Sequence, residues 1–230
     1  TVKGLGGEGA EKLCAALESN TSVTSLNLCM TRLGRGAIAV ATLLKTNKTV
    51  THLDLAINKI GAQSAERLAE ILPNSSLTSL NLTSNNLGAQ GTTAIAEALE
   101  KNSTLTDLSL DYNDIGVEGA QMIAGALAKN TTLRSLRLRG NEFGKHGCAA
   151  IATSLKTNSS LTLLDLSTNE IGDEGAQMLA LALLGNRALT ELSIFGNDVS
   201  PQIAKDIAAL VKRNQVEAEK AASWFRCPCA

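Results

Sequence analysis

Aromatic residues are nearly missing from this chain. Among 230 residues there are five: Tyr112, Phe143, Phe195, Trp224 and Phe225. Yet 44% of the chain is hydrophobic. An irregular core, which leans on large aromatic fillers, is a poor match for that recipe. A basic surplus is also absent. The net charge is −1 and the pI about 6.1, so nothing points to nucleic acid or an acidic membrane surface. No apolar run approaches the roughly 18 residues a membrane helix needs. No signal-peptide pattern opens the sequence, which begins at Thr1 and reads as a processed chain or an excised fragment. Histidine is limited to His52 and His146. The five cysteines are odd in number and form no Cys-x-x-Cys pair. A disulfide framework is therefore not expected, and free thiols suit a reducing compartment.

What dominates instead is Leu and Ala. That is too apolar for disorder, and the chain is long enough for a sizeable core. Leu fills space and Ala lets backbones approach, so the composition favours regular, repeated layers. The repeats are explicit. "VTSLNLCMTRLG" from Val23, "VTHLDLAINKIG" from Val50 and "LTSLNLTSNNLG" from Leu77 are followed by four more copies, starting at Leu105, Leu133, Leu161 and Leu189. The inner leucines are Leu26, Leu53, Leu80, Leu108, Leu136, Leu164 and Leu192. They recur at a near-constant interval, the first two steps being one position shorter than the four that follow. Such periodicity marks a stacked repeat architecture.

Each copy has two halves. Leu-x-Leu with polar residues between predicts a short strand with one buried face. The second half carries apolar residues at helical spacing, as in Ile95, Ala98 and Leu99 or Ile123, Ala126 and Leu127. A Gly separates the halves (Gly61, Gly88, Gly116, Gly144, Gly172). A second Gly and often a Glu follow, as in Glu118-Gly119 and Glu174-Gly175; a Glu there suits the positive end of the helix dipole. An Asn follows each helical stretch: Asn20, Asn47, Asn74, Asn102, Asn130, Asn158, Asn186 and Asn214. These read as helix-ending residues in the left-handed conformation. The two short repeats each lost one residue at an element boundary, one at Arg35-Gly36 and one near Pro73. Cys14 and Cys148 fall where other repeats carry Ala, so both read as small buried residues.

A strand–turn–helix unit repeated in this way sets every strand parallel to the next, with helices on the opposite side. Helices are wider than the strand spacing of about 4.8 Å, so the stack must curve with strands inside. The expected fold is an α/β solenoid with a parallel concave sheet and convex helices. It has about seven full repeats, each of about 28 residues or one fewer, and a partial N-terminal one. The expected division is a partial repeat (1–22), the repeats proper (23–214) and a C-terminal cap or tail (215–230). Trp224 and Phe225 are expected to cover the end of the stack, and Pro201 to start the last helix.

With its motif Leu-x-x-Leu-x-Leu-x-x-Asn, the chain closely resembles the leucine-rich repeat family over residues 4–214. It is most similar to the ribonuclease-inhibitor-like subclass, which includes the repeat regions of NOD-like receptors and the GTPase activator of Ran. The resemblance implies a structural ladder of Asn58, Asn85, Asn113, Asn141, Asn169 and Asn197, whose side chains hydrogen-bond backbone groups of the turns. Thr31 stands in this position in the first repeat, which should leave that turn looser.

The remaining motifs are better explained by the repeat. Gly4, Gly6 and Gly9 fit Gly-x-Gly-x-x-Gly, but only three residues precede them, and Leu5-Gly6 aligns with Leu33-Gly34. A repeat turn is therefore expected, not a dinucleotide site. Six of seven Asn-x-Ser/Thr sequons, all but Asn81, coincide with the helix-ending Asn. His52 and His146 lie too far apart to share a metal and have no nucleophile at motif spacing. No catalytic residues, metal or cofactor are expected. The C-terminal Cys227-Pro228-Cys229-Ala230 has the length of a prenylation box but poor middle residues; lipidation there would be the one route to a membrane.

Positions between the strand leucines are free to vary, so a partner is expected on the concave face. The candidate residues are Asp54, Asp107, Asp111, Tyr112, Arg137, Arg139, Asp165, Glu191 and Phe195. Parallel stacking sets Arg139 beside Asp111 and Arg137 beside Asp165, which predicts ion pairs as well as a binding patch. Seven strands span ~29 Å and four exposed residues ~13 Å. That gives ~400 Å², about half of one side of a standard interface, so a protein partner must also touch the adjoining loops. The expected function is a non-catalytic, monomeric module binding a protein or peptide, as scaffold, sensor region or effector. It is expected in the cytoplasm, including a host cytoplasm if it is a bacterial effector. Resemblance to the Ran activator offers a GTPase regulator as an alternative, and the subclass founder a nuclease inhibitor.

Overall fold

A computed structural model describes residues 4–224, without the side chain of Trp224. The expected aromatic cap of Trp224 and Phe225 and the Cys227–Ala230 box lie outside the described residues. Helix α1 (Gly6–Leu17) leads into an alternating series. It runs β1 (Ser25–Asn27), α2 (Ala37–Thr46), β2 (His52–Asp54), α3 (Gly61–Ile71), β3 (Ser79–Asn81), α4 (Gly88–Leu99), β4 (Asp107–Ser109), α5 (Gly116–Lys129), β5 (Ser135–Arg137), α6 (Gly144–Leu155), β6 (Leu163–Asp165), α7 (Gly172–Gly185), β7 (Glu191–Ser193) and α8 (Pro201–Trp224). The strands form one parallel sheet in sequential order. Its register matches the inner leucines one to one, from Leu26 opposite Leu53 through to Leu164 opposite Leu192. This is the expected α/β solenoid.

The core lies between sheet and helices. Both strand leucines of the inner repeats are buried, as are Ile95, Ala98 and Leu99 and their α5 counterparts Ile123, Ala126 and Leu127. Phe143 is fully buried where other repeats carry Ile or Leu. Each of the two shortened repeats contains a 3₁₀ turn, Gly34–Gly36 and Leu72–Asn74. The 3₁₀ form rises further per residue than the α-helix, so the chain covers the same path with one residue fewer. Pro201 does start α8.

The two glycine columns have different causes. Gly116 adopts φ +63°, and a side chain there would meet nothing within 4 Å; backbone conformation alone demands it. At Gly147 the demand is space, since an added Cβ would sit 2.9 Å from that of Ala120 in the neighbouring helix. Next to these columns lie two anomalies. The hydroxyls of Ser64 and Thr92 are buried with no hydrogen-bond partner among the described residues. Thr92→Val, which replaces the hydroxyl with a methyl of similar shape, should raise unfolding stability by about 1 kcal/mol. Urea denaturation at constant m-value checks this; unchanged or lower stability would contradict it.

The Asn residues after the helices differ from expectation. Asn47, Asn130 and Asn186 are extended (φ −75°, −73° and −77°), not left-handed. Their side chains explain them. Asn130 donates from Nδ2 to the carbonyls of Leu99 (2.8 Å) and Asn102 (3.1 Å), and its Oδ1 accepts from the amides of Thr132 and Leu133. Asn47, Asn158 and Asn186 repeat the pattern. This is a second row of Asn bridges between repeats, before β2 and before β4 to β7. Asn74, beside the shortened turn, is exposed and outside the row. Burial of Asn47, Asn102, Asn130 and Asn158 accounts for those sequons without glycosylation.

Nor does Asn214 end a helix; α8 runs through it. Its Nδ2 donates to the carbonyls of Asn186 and Leu189, while Gln215 Nε2 donates to Thr190 O and Arg213 Nη2 to Leu183 O. These polar side chains satisfy carbonyls at the open end of the stack.

Candidate functional site

Strand, turn and helix start are fixed by one hydrogen-bonded column. In each turn the ladder Asn donates from Nδ2 to the preceding repeat, as Asn113 to Leu82 O and Asn141 to Leu110 O. Its Oδ1 accepts the backbone amide of the preceding ladder residue, from Thr31 to Asn58 (3.0 Å) through to Asn169 to Asn197 (2.6 Å). All six Asn are buried. Thr31 is buried too, and its hydroxyl donates to Leu28 O at 2.7 Å. The first turn is thus closed, lacking only the reach into an earlier repeat. Gly6 N donates to Thr31 O as Gly34 does to Asn58 O and Gly61 to Asn85 O. The N-terminal glycines are therefore a repeat turn.

This scaffold leaves two surfaces unconstrained: the sheet face turned away from the helices, and the loop rim after the strands. On the face, Arg137, Arg139, Glu191 and Phe195 are exposed, as is Tyr112 at its margin; Asp54, Asp107, Asp111 and Asp165 are half-buried. Phe195 is 79% exposed and Tyr112 45%. Three small residues that alternate with the strand leucines, Ala56, Ser135 and Ser167, are buried.

The register does align Arg137 with Asp165, but the expected ion pairs do not form among the described residues. Nearer groups reach the carboxylates first. Asp111 Oδ1 accepts the backbone amide of Arg139 at 2.7 Å, and its other oxygen accepts the Ser109 hydroxyl. Asp165 Oδ1 accepts the amide and hydroxyl of Ser167. The Arg139 guanidinium instead lies over the Tyr112 ring, 5.7 Å from its centroid, a cation–π contact. Arg137 reaches only the Ser135 hydroxyl, at 3.3 Å. Burial pushes the Asp111 carboxyl above its ordinary range and the nearby Asp165 adds to this, against the lowering effects of the Arg139 amide, Ser109 and Arg137. Arg137 separates two shallow hollows. One, of about 340 Å³, is lined by Asn81, Thr83, Asp107 and Asp111; the other, of about 400 Å³, by Asp165, Glu191 and Gln215. Gln215 was not legible as a site residue, because it lies where α8 continues past the end of the last repeat.

Along the rim, two residues per turn adopt positive φ ahead of the turn-glycine position. The first column is Met30, Ile57, Ser84, Tyr112, Gly140, Thr168 and Gly196; the second is Arg32, Lys59, Asn86, Asp114, Glu142, Glu170 and Asp198. Every member of the second is exposed.

Among the described residues no group of three or more His, Cys, Asp or Glu is placed to hold a metal ion, and no helix is long and apolar enough to cross a membrane. Cys14, Cys29 and Cys148 are free thiols. Burial pushes Cys14 to about 11 and Cys148 to about 12. Both should resist alkylation at neutral pH in the native protein and react on unfolding. Mass spectrometry after labelling with and without denaturant checks this; equal native labelling of Cys148 and Cys29 would contradict it.

Fold and surface together define a repeat solenoid with a fixed interior and a free outer face. The chain belongs to the leucine-rich repeat family: the family model described as "Leucine Rich repeat" matches residues 46–69, 74–96, 101–124, 129–152, 157–180 and 185–208. Similar solved structures include leiomodin-1 actin-binding site 2 (24% identity, TM-score 0.63, covering 70% of this chain and 93% of that one). The Caenorhabditis elegans tropomodulin C-terminal domain is also similar (14% identity, TM-score 0.61, covering 70% and 97%). At these identities the likeness concerns the fold. A search of curated proteins gives no match.

Proposed function

We propose that this chain is a non-catalytic interaction module that binds a protein or peptide through the open face of its sheet and the adjoining loops. The observation that carries this reading is the pair Arg137 and Arg139, whose guanidinium groups have no carboxylate partner among the described residues although Asp111 and Asp165 are neighbours in register. With exposed Tyr112 and Phe195 they form a set of the residue types that dominate interface energetics. Asp54, Asp107, Asp111, Asp165 and Glu191 supply the surrounding acceptors. The partner's matching surface carries carboxylates for the two arginines and donors for the flanking acids. The near-constant repeat length, with a helix in each inner repeat, supports placement in the ribonuclease-inhibitor-like subclass. Free thiols support a cytoplasmic setting.

Leiomodin-1's matched segment is described as an actin-binding site, which supports a protein partner and makes actin the first defined probe. Immobilised chain is tested against actin and against a cell lysate. Retention of a specific protein by the wild type, at an affinity weakened by changes on the sheet face, supports the proposal. Retention indifferent to that face removes it.

A further inference from the structure

We infer that the loop rim is self-complementary and pairs two copies of this chain, antiparallel, about a twofold axis through the fourth repeat. The second rim column is graded, beginning with Arg32 and Lys59, passing through Asn86 and ending with four acids from Asp114 to Asp198. Left-handed backbone favours Gly and Asn, so conformation does not select Arg, Lys or Glu here. None of the six charged members has an ion-pair or side-chain hydrogen-bond partner among the described residues. By contrast, the acids of the first turn of α7 are engaged: Asp173 accepts the Ser200 amide and Glu174 pairs with Lys145.

An isologous contact sets each position against its reverse, so in seven turns the first faces the seventh. Arg32 then meets Asp198 and Lys59 meets Glu170, each contact occurring twice. The first column obeys the same rule in size. Met30 (57% exposed) faces Gly196, Ile57 (48% exposed) faces Thr168, and Ser84 faces Gly140. At the axis Tyr112 meets its own mate. At the two outer positions on either side of the axis a large side chain thus faces a small one. A parallel twofold centred on the second column would set Arg32 on Arg32 and Asp198 on Asp198. The like-charged Asp114 and Glu118 near the axis hold the affinity down. The rim is ~29 Å long and roughly 20 Å deep across strand and helix layers, so about 1,200 Å² is buried in all, the small end of specific interfaces. Pairing is therefore sought at about 10–100 µM, the range of weak association.

The test is sedimentation velocity of the full chain across that concentration range. The wild type should pass from one-chain to two-chain mass. Arg32→Glu with Lys59→Glu should remain one-chain, as should Glu170→Lys with Asp198→Lys. Mixing these two double variants should restore the two-chain species, because each reversed end then meets its complement. A wild type that stays one-chain, double variants that pair like the wild type, a mixture that does not pair, or assemblies larger than two would each overturn the inference. The changes lie on exposed side chains without partners, and circular dichroism of each variant verifies the fold. Arg137→Ala with Arg139→Ala should leave the self-pairing intact, which separates its outcome from that of the sheet-face proposal.

Discussion

Asn113→Ala should lower the unfolding free energy by about 3 kcal/mol. The side chain bridges two repeats: Nδ2 donates to Leu82 O at 2.9 Å, and Oδ1 accepts from Asn85 N at 3.0 Å. Its removal leaves the buried amides of Asn85 and Leu87 without their acceptor, each costing about 1–3 kcal/mol, while Leu82 O keeps Asn85 Nδ2. Asn85 and Asn113 are fully buried, so bulk water does not reach the orphaned groups in the native fold. The location matters as well as the count. In a stacked solenoid each repeat is stabilised by its neighbours, and Asn113 sits in the fourth of seven turns. Thr31→Ala should cost much less, because Thr31 donates only to Leu28 O and Asn58 Oδ1 within and after its own turn. Asn113→Asp should cost at least as much as Asn113→Ala, because it keeps the acceptor but buries a carboxylate against the Leu82 and Asp111 carbonyls. Urea denaturation followed by circular dichroism ranks the three; an Asn113→Ala loss no larger than that of Thr31→Ala would contradict the ladder's role.

Replacing Tyr112, Arg137 and Arg139 together by Ala should weaken partner binding at least about 30-fold, since desolvated Arg and aromatic side chains are among those whose truncation costs about 2 kcal/mol or more. Stability should change little, because both arginines are exposed and their intramolecular contacts are confined to Tyr112, Ser135 and the Asp111–Arg139 backbone bond, which survives the substitution. The two variants therefore divide cleanly. The ladder Asn changes folding, and the sheet-face triple changes recognition. Phe195→Ala should have a smaller effect in the same direction, its ring lying at the β7 edge.

The architecture was readable because one period governs everything. A near-constant interval between inner leucines leaves one way to register the strands, and the structure adopts it. Even the missing residues were locatable, and 3₁₀ turns absorb them. Side-chain partners were less readable. Register sets Arg137 beside Asp165, but it does not say that Ser167 reaches that carboxylate first, or that Arg139 prefers the Tyr112 face. These are choices among rotamers within a few ångströms, and residue spacing carries no information about them. The helix-ending Asn residues were misread for a different reason. A left-handed cap would accept Gly at least as readily, yet none of the eight copies has Gly. That uniformity was the signal that the side chain matters, and the structure gives the bonds responsible. The cap formed by Arg213, Asn214 and Gln215 was hidden because the same Asn appears in every repeat, where it serves the following strand.

The most direct test of the interaction-face account is a binding isotherm of the captured partner, or of actin if actin is retained, on wild type and on the Tyr112/Arg137/Arg139 triple variant. Thr92→Val serves as a control altered only in the core. The account predicts equal binding by wild type and Thr92→Val and a loss of about 30-fold or more in the triple variant. Unchanged affinity in a folded triple variant would contradict it.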